Sequence, residues 1–161
     1  MTALAKYSLS ASDGTTSQNA VGQEINIKGA TWVYTKSNEA ISQYQVVYFD
    51  DTGFISKATA TLLTTTKPTM VGIAQYAFAS GEYGYVAVGP FFLREDDTTT
   101  FKVLSKIANK DVVLYGTATA GSVDDAVSNP PIRGLLLTAN QSVDDTATAC
   151  VAVQRLVVNC S

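Results

Sequence analysis

The sequence predicts an all-β fold: a small barrel or sandwich of short strands, with a candidate duplication of one β-module and an extended N-terminal arm. Three observations lead there. Thr, Ser, Ala, Val and Gly fill a chain whose charged fraction is only 16%, against a typical ~25%, and β-branched residues suit a pleated, half-buried surface. Short apolar runs are punctuated by Gly, Pro, Asn or Asp, the pattern of a sandwich or barrel. Several of these runs also recur in one order along the chain.

Residues 1–22 are rich in Ser, Thr, Ala, Gly and Asn and carry no periodicity, so they are expected to form the extended arm. Residues 23–161 then form a single β-domain. Its first strand signal is Ile25 and Ile27 alternating with polar residues, followed after Gly29 by Thr31-Trp32-Val33-Tyr34-Thr35. Next come Tyr44 to Phe49, Gly53-Phe54-Ile55, Met70 to Gln75 and Tyr83 to Val88. Later candidates are Val112 to Tyr115, Ile132 to Ala139 and Cys150 to Val158. Thr99 to Asn109 has helical spacing, with Phe101, Leu104, Ile107 and Ala108 on one side and Asp97 or Thr98 as a cap.

Four blocks carry the candidate duplication. Val46-Val47-Tyr48-Phe49 resembles Val112-Val113-Leu114-Tyr115, and Gly53 to Ala58 matches Gly121 to Ala126 at both ends. Val71 to Ala77 parallels Arg133 to Ala139, which sets Gly72 opposite Gly134, and Val86 to Leu93 parallels Val151 to Val158. Residues 46–93 and 112–158 are thus the expected related halves, joined by 94–111.

A chain of 161 residues buries roughly 70% of its unfolded surface and needs no staple. Its net charge is −3 and its eleven basic residues are scattered, with no two adjacent. Nucleic-acid binding needs a clustered basic face, so no nucleic acid is expected as a partner. No apolar run is long enough for a membrane span or a signal-peptide core, so no membrane is expected either, and assembly in a cytoplasm is. Cys150 and Cys160, ten apart, are expected to stay reduced, Cys150 packed as a small hydrophobe.

The chain contains no His. That removes the usual general base, the His-dependent nucleophile systems and most zinc sites. Eight of the fourteen acids form the doublets Asp50-Asp51, Asp96-Asp97, Asp124-Asp125 and Asp144-Asp145. Adjacent strand residues point to opposite faces, and no doublet has calcium-loop spacing, so turn formation is the expected role. Asp51-Thr52-Gly53 spells the aspartic-protease triplet, but it occurs once and lacks the apolar lead-in, so a hairpin turn explains it. Gly81-Glu82-Tyr83-Gly84 lacks the frame of a phosphate loop. The triplets Asn140-Gln141-Ser142 and Asn159-Cys160-Ser161 match glycosylation acceptors only in an exported protein. No catalytic, cofactor-binding or metal-ligating residue is assigned, no cofactor is expected, and the chain is not expected to be an enzyme.

Val71-Gly72-Ile73-Ala74 and Ala79-Ser80-Gly81-Glu82-Tyr83-Gly84-Tyr85-Val86-Ala87-Val88-Gly89-Pro90 resemble the capsid decoration (cement) proteins of tailed phages, including cyanophages. Leu114 to Asp125 and Ile132-Arg133-Gly134 resemble the second half of that family. The likeness covers roughly residues 40–158. It implies a β-rich structural virion protein on the outside of the phage head, made in the host cytoplasm and stabilising the capsid lattice. The implied partners are the major capsid protein and neighbouring copies of the chain itself, a trimer being favoured. Two rivals remain: a host-recognition or tail-spike binding module, and a carboxylate-dependent hydrolase that would need Asp51.

Overall fold

A computed structural model of the protein describes residues 9–27, 29–92, 101–127 and 130–158. Among them lie β1 (Glu24–Ile27), β2 (Ala30–Lys36), β3 (Val46–Phe49), β4 (Ile55–Lys57), α1 (Ala60–Thr66), β5 (Val71–Ile73) and β6 (Tyr83–Ala87). There follow β7 (Lys102–Ser105), β8 (Leu114–Gly116), β9 (Val123–Asp124), β10 (Pro131–Leu137) and β11 (Thr146–Val158). The protein is all-β in architecture, as its composition predicts.

The strands make a closed five-stranded barrel and a six-stranded sheet of the same strand order, which an isolated bridge rolls into the first barrel. In the first, the order is β2-β6-β5-β3-β4, with β1 added outside β2. A parallel bridge between Ser37 and Ile55 brings the two ends of this sheet together. In the second, the order is β7-β11-β10-β8-β9, closed by a parallel contact between Ser105 and Val123. Beyond each closure sits a reciprocal antiparallel bridge, Ile41 with Phe78 and Ala108 with Gln141. Each unit therefore has five strands, one more at its front than the four repeated blocks indicate. The extra strand in the second unit is β7, so the expected helix over 99–109 is corrected. Phe101, Val103 and Ser105 point into the core with strand periodicity, while Ile107 is 58% exposed.

Pairing with β3 and with β8 sets one correspondence along β5 and β10, which the irregularity between Arg133 and Leu135 shifts on the β11 side. Tyr48 pairs with Ser56 and Val71, and Tyr115 pairs with Asp124 and Pro131. Val71 thus corresponds to Pro131 and Gly72 to Ile132, so the expected match of Gly72 with Gly134 is corrected. The two glycines serve different needs. A Cβ on Gly72 would lie 2.5 Å from Val86 Cγ1, whereas Gly134 has φ +93 where the β10–β11 register shifts between Arg133 and Leu135. Gly53 and Gly121 do correspond, with φ of +83 and +79.

Side-chain alternation divides the core. Val33, Val47, Phe49, Ile55, Val86 and Val88 fill the first barrel. Their strand neighbours Trp32, Val46, Val71, Ile73 and Ala87 point outward, into a cluster that also holds Phe101, Leu114, Leu135, Ala152 and Leu156 of the second barrel. Phe101 packs between Phe91 and Trp32, with ring centroids 4.4 and 5.5 Å away. Fully burying each such side chain contributes roughly 1.5–3 kcal/mol. Backbone bonds cross the same boundary: Leu104 N–H to Tyr44 (2.8 Å), Val46 N–H to Gly121 (2.8 Å), Ala60 N–H to Thr117 (2.8 Å) and Leu156 N–H to Val88 (2.8 Å).

Helix α1 fills the connection between β4 and β5, where the Thr59 side chain caps it by accepting from Leu62 N–H at 3.2 Å. Its buried Leu63 lies over Gly116, where a Cβ would come within 2.8 Å of Leu63 Cδ1.

The N-terminal segment is bound to the first barrel over residues 13–22. Asp13 N–H donates to the Tyr83 carbonyl (2.8 Å) and Tyr83 N–H to that of Gly14 (2.9 Å). The Tyr34 hydroxyl donates to Asp13 Oδ2 (2.8 Å) and accepts from Gln18 N–H (2.9 Å). The free arm expected over residues 1–22 is therefore part of the folded body over this stretch. Residues 1–8 lie outside the described residues.

Candidate interaction surface

The acidic doublets organise backbone. Asp50 Oδ1 accepts from Thr52 N–H (2.8 Å) and Phe54 N–H (3.1 Å), and its Oδ2 accepts from Asn38 Nδ2 (3.0 Å). Burial raises this carboxyl, but the bonds from Thr52, Asn38 and Phe54 outweigh it and hold Asp50 below the ordinary aspartate value. Asp51-Thr52-Gly53 is thus a turn built by the preceding residue. Asp125 Oδ2 accepts from Asn109 N–H (2.9 Å), Asp124 Oδ1 from Ala126 N–H (3.2 Å) and Asp144 Oδ1 from Ile107 N–H (2.9 Å). Asp145 pairs with Lys106 at 2.7 Å. Asp96-Asp97 lies outside the described residues, as do Cys160 and the second glycosylation triplet. Among the described residues no three acids or cysteines gather in a metal-binding group.

A cleft of about 570 Å³ lies between the Asp50 turn and the end of α1, where Asp51 and Lys67 are the other charged groups lining it. Cys150 is buried in the second barrel, and burial pushes its thiol well above the ordinary value, so it behaves as a small hydrophobe.

Exposed apolar side chains fall unevenly on the two units. Of the seven large exposed hydrophobics among the described residues, Phe92 follows the first barrel and the other six, Ile107, Val112, Val113, Val127, Val143 and Val153, belong to the second. Ile107 and Val143 share one end of that barrel, on neighbouring loops tied by the Asp144–Ile107 bond and the Lys106–Asp145 pair. The bridge register places Ala40 and Ser80 at their positions in the first barrel. One end of the repeat thus carries the small Ala40 and Ser80 in one copy, and the branched, apolar Ile107 and Val143 in the other.

Val113 and Val153 lie elsewhere, beside a shallow groove of about 210 Å³ that Arg133, Gly134, Leu136 and Gln154 help to line. Burying the remaining surface of a half-exposed valine contributes about 1 kcal/mol. Sequence reasoning places Val112, Val113 and Val153 in strand runs, but strand alternation marks a residue as apolar without saying which face is covered. The available signal was the exchange between copies of Ala for Ile107 and Ser for Val143, which only the correct register reveals.

No helix among the described residues is long and apolar enough to cross a membrane. Compared with known protein families, curated proteins and solved structures, the chain matches none.

Proposed function

We propose that the protein is a structural component of a phage virion that binds the outside of the head and stabilises the capsid lattice. The observation that carries this is the Ile107–Val143 end of the second barrel, which exposes two branched apolar side chains where the first barrel has Ala40 and Ser80. The sequence resemblance to decoration proteins gives the surface its partner, the major capsid protein. Low charge supports the same role, since neutral polar surface costs less to desolvate than charged surface. A contact worth a few kcal/mol, repeated at every lattice site, offsets the outward load of a packed genome. No chemistry is required of the chain: Asp50, Asp124, Asp125 and Asp144 accept from backbone N–H groups, and Asp145 pairs with Lys106.

Co-sedimentation with expanded heads tests the proposal. The wild-type protein is expected to pellet with heads in saturable, lattice-proportional amounts. Ile107→Asp and Val143→Asp are expected to weaken binding at least tenfold, or about 1.4 kcal/mol. Wild-type protein left in the supernatant overturns the proposal.

A further inference from the structure

Three segments meet at the outer end of the second barrel: 106–113 after β7, 125–127 after β9 and 138–145 after β10. Bonds between them fix their relative positions. Lys106 pairs with Asp145, Ile107 N–H donates to Asp144, and Ala108 bridges to Gln141. Lys110 N–H donates to Asn140 Oδ1 at 2.9 Å, and Asn109 donates to Asp125 from both backbone and side chain. Loop 117–122, at the opposite end of the barrel, meets the first barrel through the backbone bonds of Thr117 and Gly121. The outer end thus faces away from the first barrel and is held in one shape before any partner arrives.

Two properties decide what this end fits. Its tips are apolar: Ile107 and Val143 are more than half exposed, and Val127 is 84% exposed. It also carries the charge of the chain. Asp111, Asp124, Asp125, Asp144 and Asp145 stand against Lys106 and Lys110, a net −3. That equals the net charge of the whole protein, whose remaining nine basic and nine acidic residues cancel. Hydrogen bonding does not discharge these groups. The Asn109 N–H holds the Asp125 carboxyl below the ordinary aspartate value, and Lys106 does the same for Asp145.

Apolar tips inside a charged rim have the anatomy of a docking surface, and the sign of the rim selects among partners. Nucleic acid and an anionic membrane are repelled, as is the same end of a second copy. A basic protein surface is attracted. We infer that this end docks on a protein surface that sets apolar pockets within a rim of lysine and arginine. The inference rests on the head-binding reading and gives the chemistry of the capsid site that the Ile107–Val143 end meets. The apolar tips supply the contact, and the carboxylates set its register and speed the encounter. Exposed charges are screened beyond about 8 Å at physiological ionic strength, so such binding weakens as salt rises, whereas a purely apolar contact does not.

Co-sedimentation with expanded heads across sodium chloride concentrations reads it. Wild-type affinity is expected to fall at least about tenfold between roughly 50 and 500 mM salt. The Asp111→Asn, Asp124→Asn double variant removes two charges: asparagine tolerates the positive φ at 111 and still accepts from Ala126 N–H at 124. It is expected to bind about three- to tenfold more weakly than wild type at low salt, and equally at high salt. Asp51→Asn, on the first barrel, removes a charge away from this end and should leave binding unchanged. The wild-type titration involves no substitution, so it decides the matter even where the double variant misfolds. Salt-independent wild-type binding, full low-salt binding by a folded double variant, or equal weakening by Asp51→Asn would overturn the inference and leave head binding standing. No binding at any salt overturns both.

Discussion

Ser37 and Ser105 hold the same post in the two barrels. Each is fully buried, and each forms the parallel contact that closes its barrel, with Ile55 and Val123 respectively. The next N–H in each case donates across the closure, Asn38 to Ile55 at 2.9 Å and Lys106 to Val123 at 2.8 Å. Ser37 Oγ also donates to the Ala79 carbonyl at 2.6 Å, and Ser105 Oγ lies 3.3 Å from Thr148 Oγ1. Closure needs a small residue that satisfies polar groups inside an apolar barrel. Ser37→Ala is expected to cost about 1 kcal/mol in urea denaturation, and Ser37→Leu about 1–3 kcal/mol through overpacking. Equal stability of the leucine variant would show that the first barrel is not tightly closed.

Val46 and Val113 give the converse test, one position in two environments. Val46→Ala removes methyls from a sealed boundary and is expected to cost about 2 kcal/mol. Val113→Ala, measured in dilute solution, is expected to change stability by no more than ~0.5 kcal/mol. Equal effects would contradict the unequal covering of the two faces.

Removal of residues 1–22 is expected to destabilise the protein by at least about 2 kcal/mol. The Tyr34 hydroxyl would exchange its bonds with Asp13 and Gln18 for water, a net loss of about 0.5–1.5 kcal/mol for each. Loss of the Tyr83 backbone pairing with Asp13 and Gly14 adds to this. Unchanged thermal unfolding after truncation would show that the segment only rests on the barrel.

Strands β1 to β6, β8, β10 and β11 were legible in the sequence because each contains an apolar run bounded by turn formers. Three features were not. The segment around Phe101 and Leu104 has the three-residue apolar spacing of a helix, but Val103 and Ser105 also face inward, and pairing with β11 decides for a strand. Helix α1 hides in Ala-Thr-Leu-Leu-Thr-Thr-Thr, a Thr-rich stretch of poor helix propensity that Leu63 holds by packing over Gly116. Residues 13–22 lack periodicity because single contacts through Asp13, Gln18 and Val21 hold them, and no repeating face is involved. The candidate surface was illegible for a related reason: Val113 and Val46 look alike until one is covered.

Asp50 gives the protein an acid-side dependence. Its carboxyl is held below the ordinary value in the folded state, so its stabilisation is present above the unfolded aspartate pKa, about 3.9, and is lost as pH falls through the lower folded value. Asp50→Ala should be less stable than wild type at pH 7, by about 1 kcal/mol for the lost turn bonds. The gap between the two should narrow below about pH 4. A gap independent of pH would show that the charged carboxylate is not what holds the turn.

The most direct test of the proposed role is the copy number of this chain per particle in virions purified from cultures that produce it, counted by quantitative mass spectrometry against the major capsid protein. Head decoration predicts hundreds of copies in fixed proportion to the capsid subunits. A handful of copies per particle would place the protein at the tail, and none would remove it from the virion; either result contradicts the account.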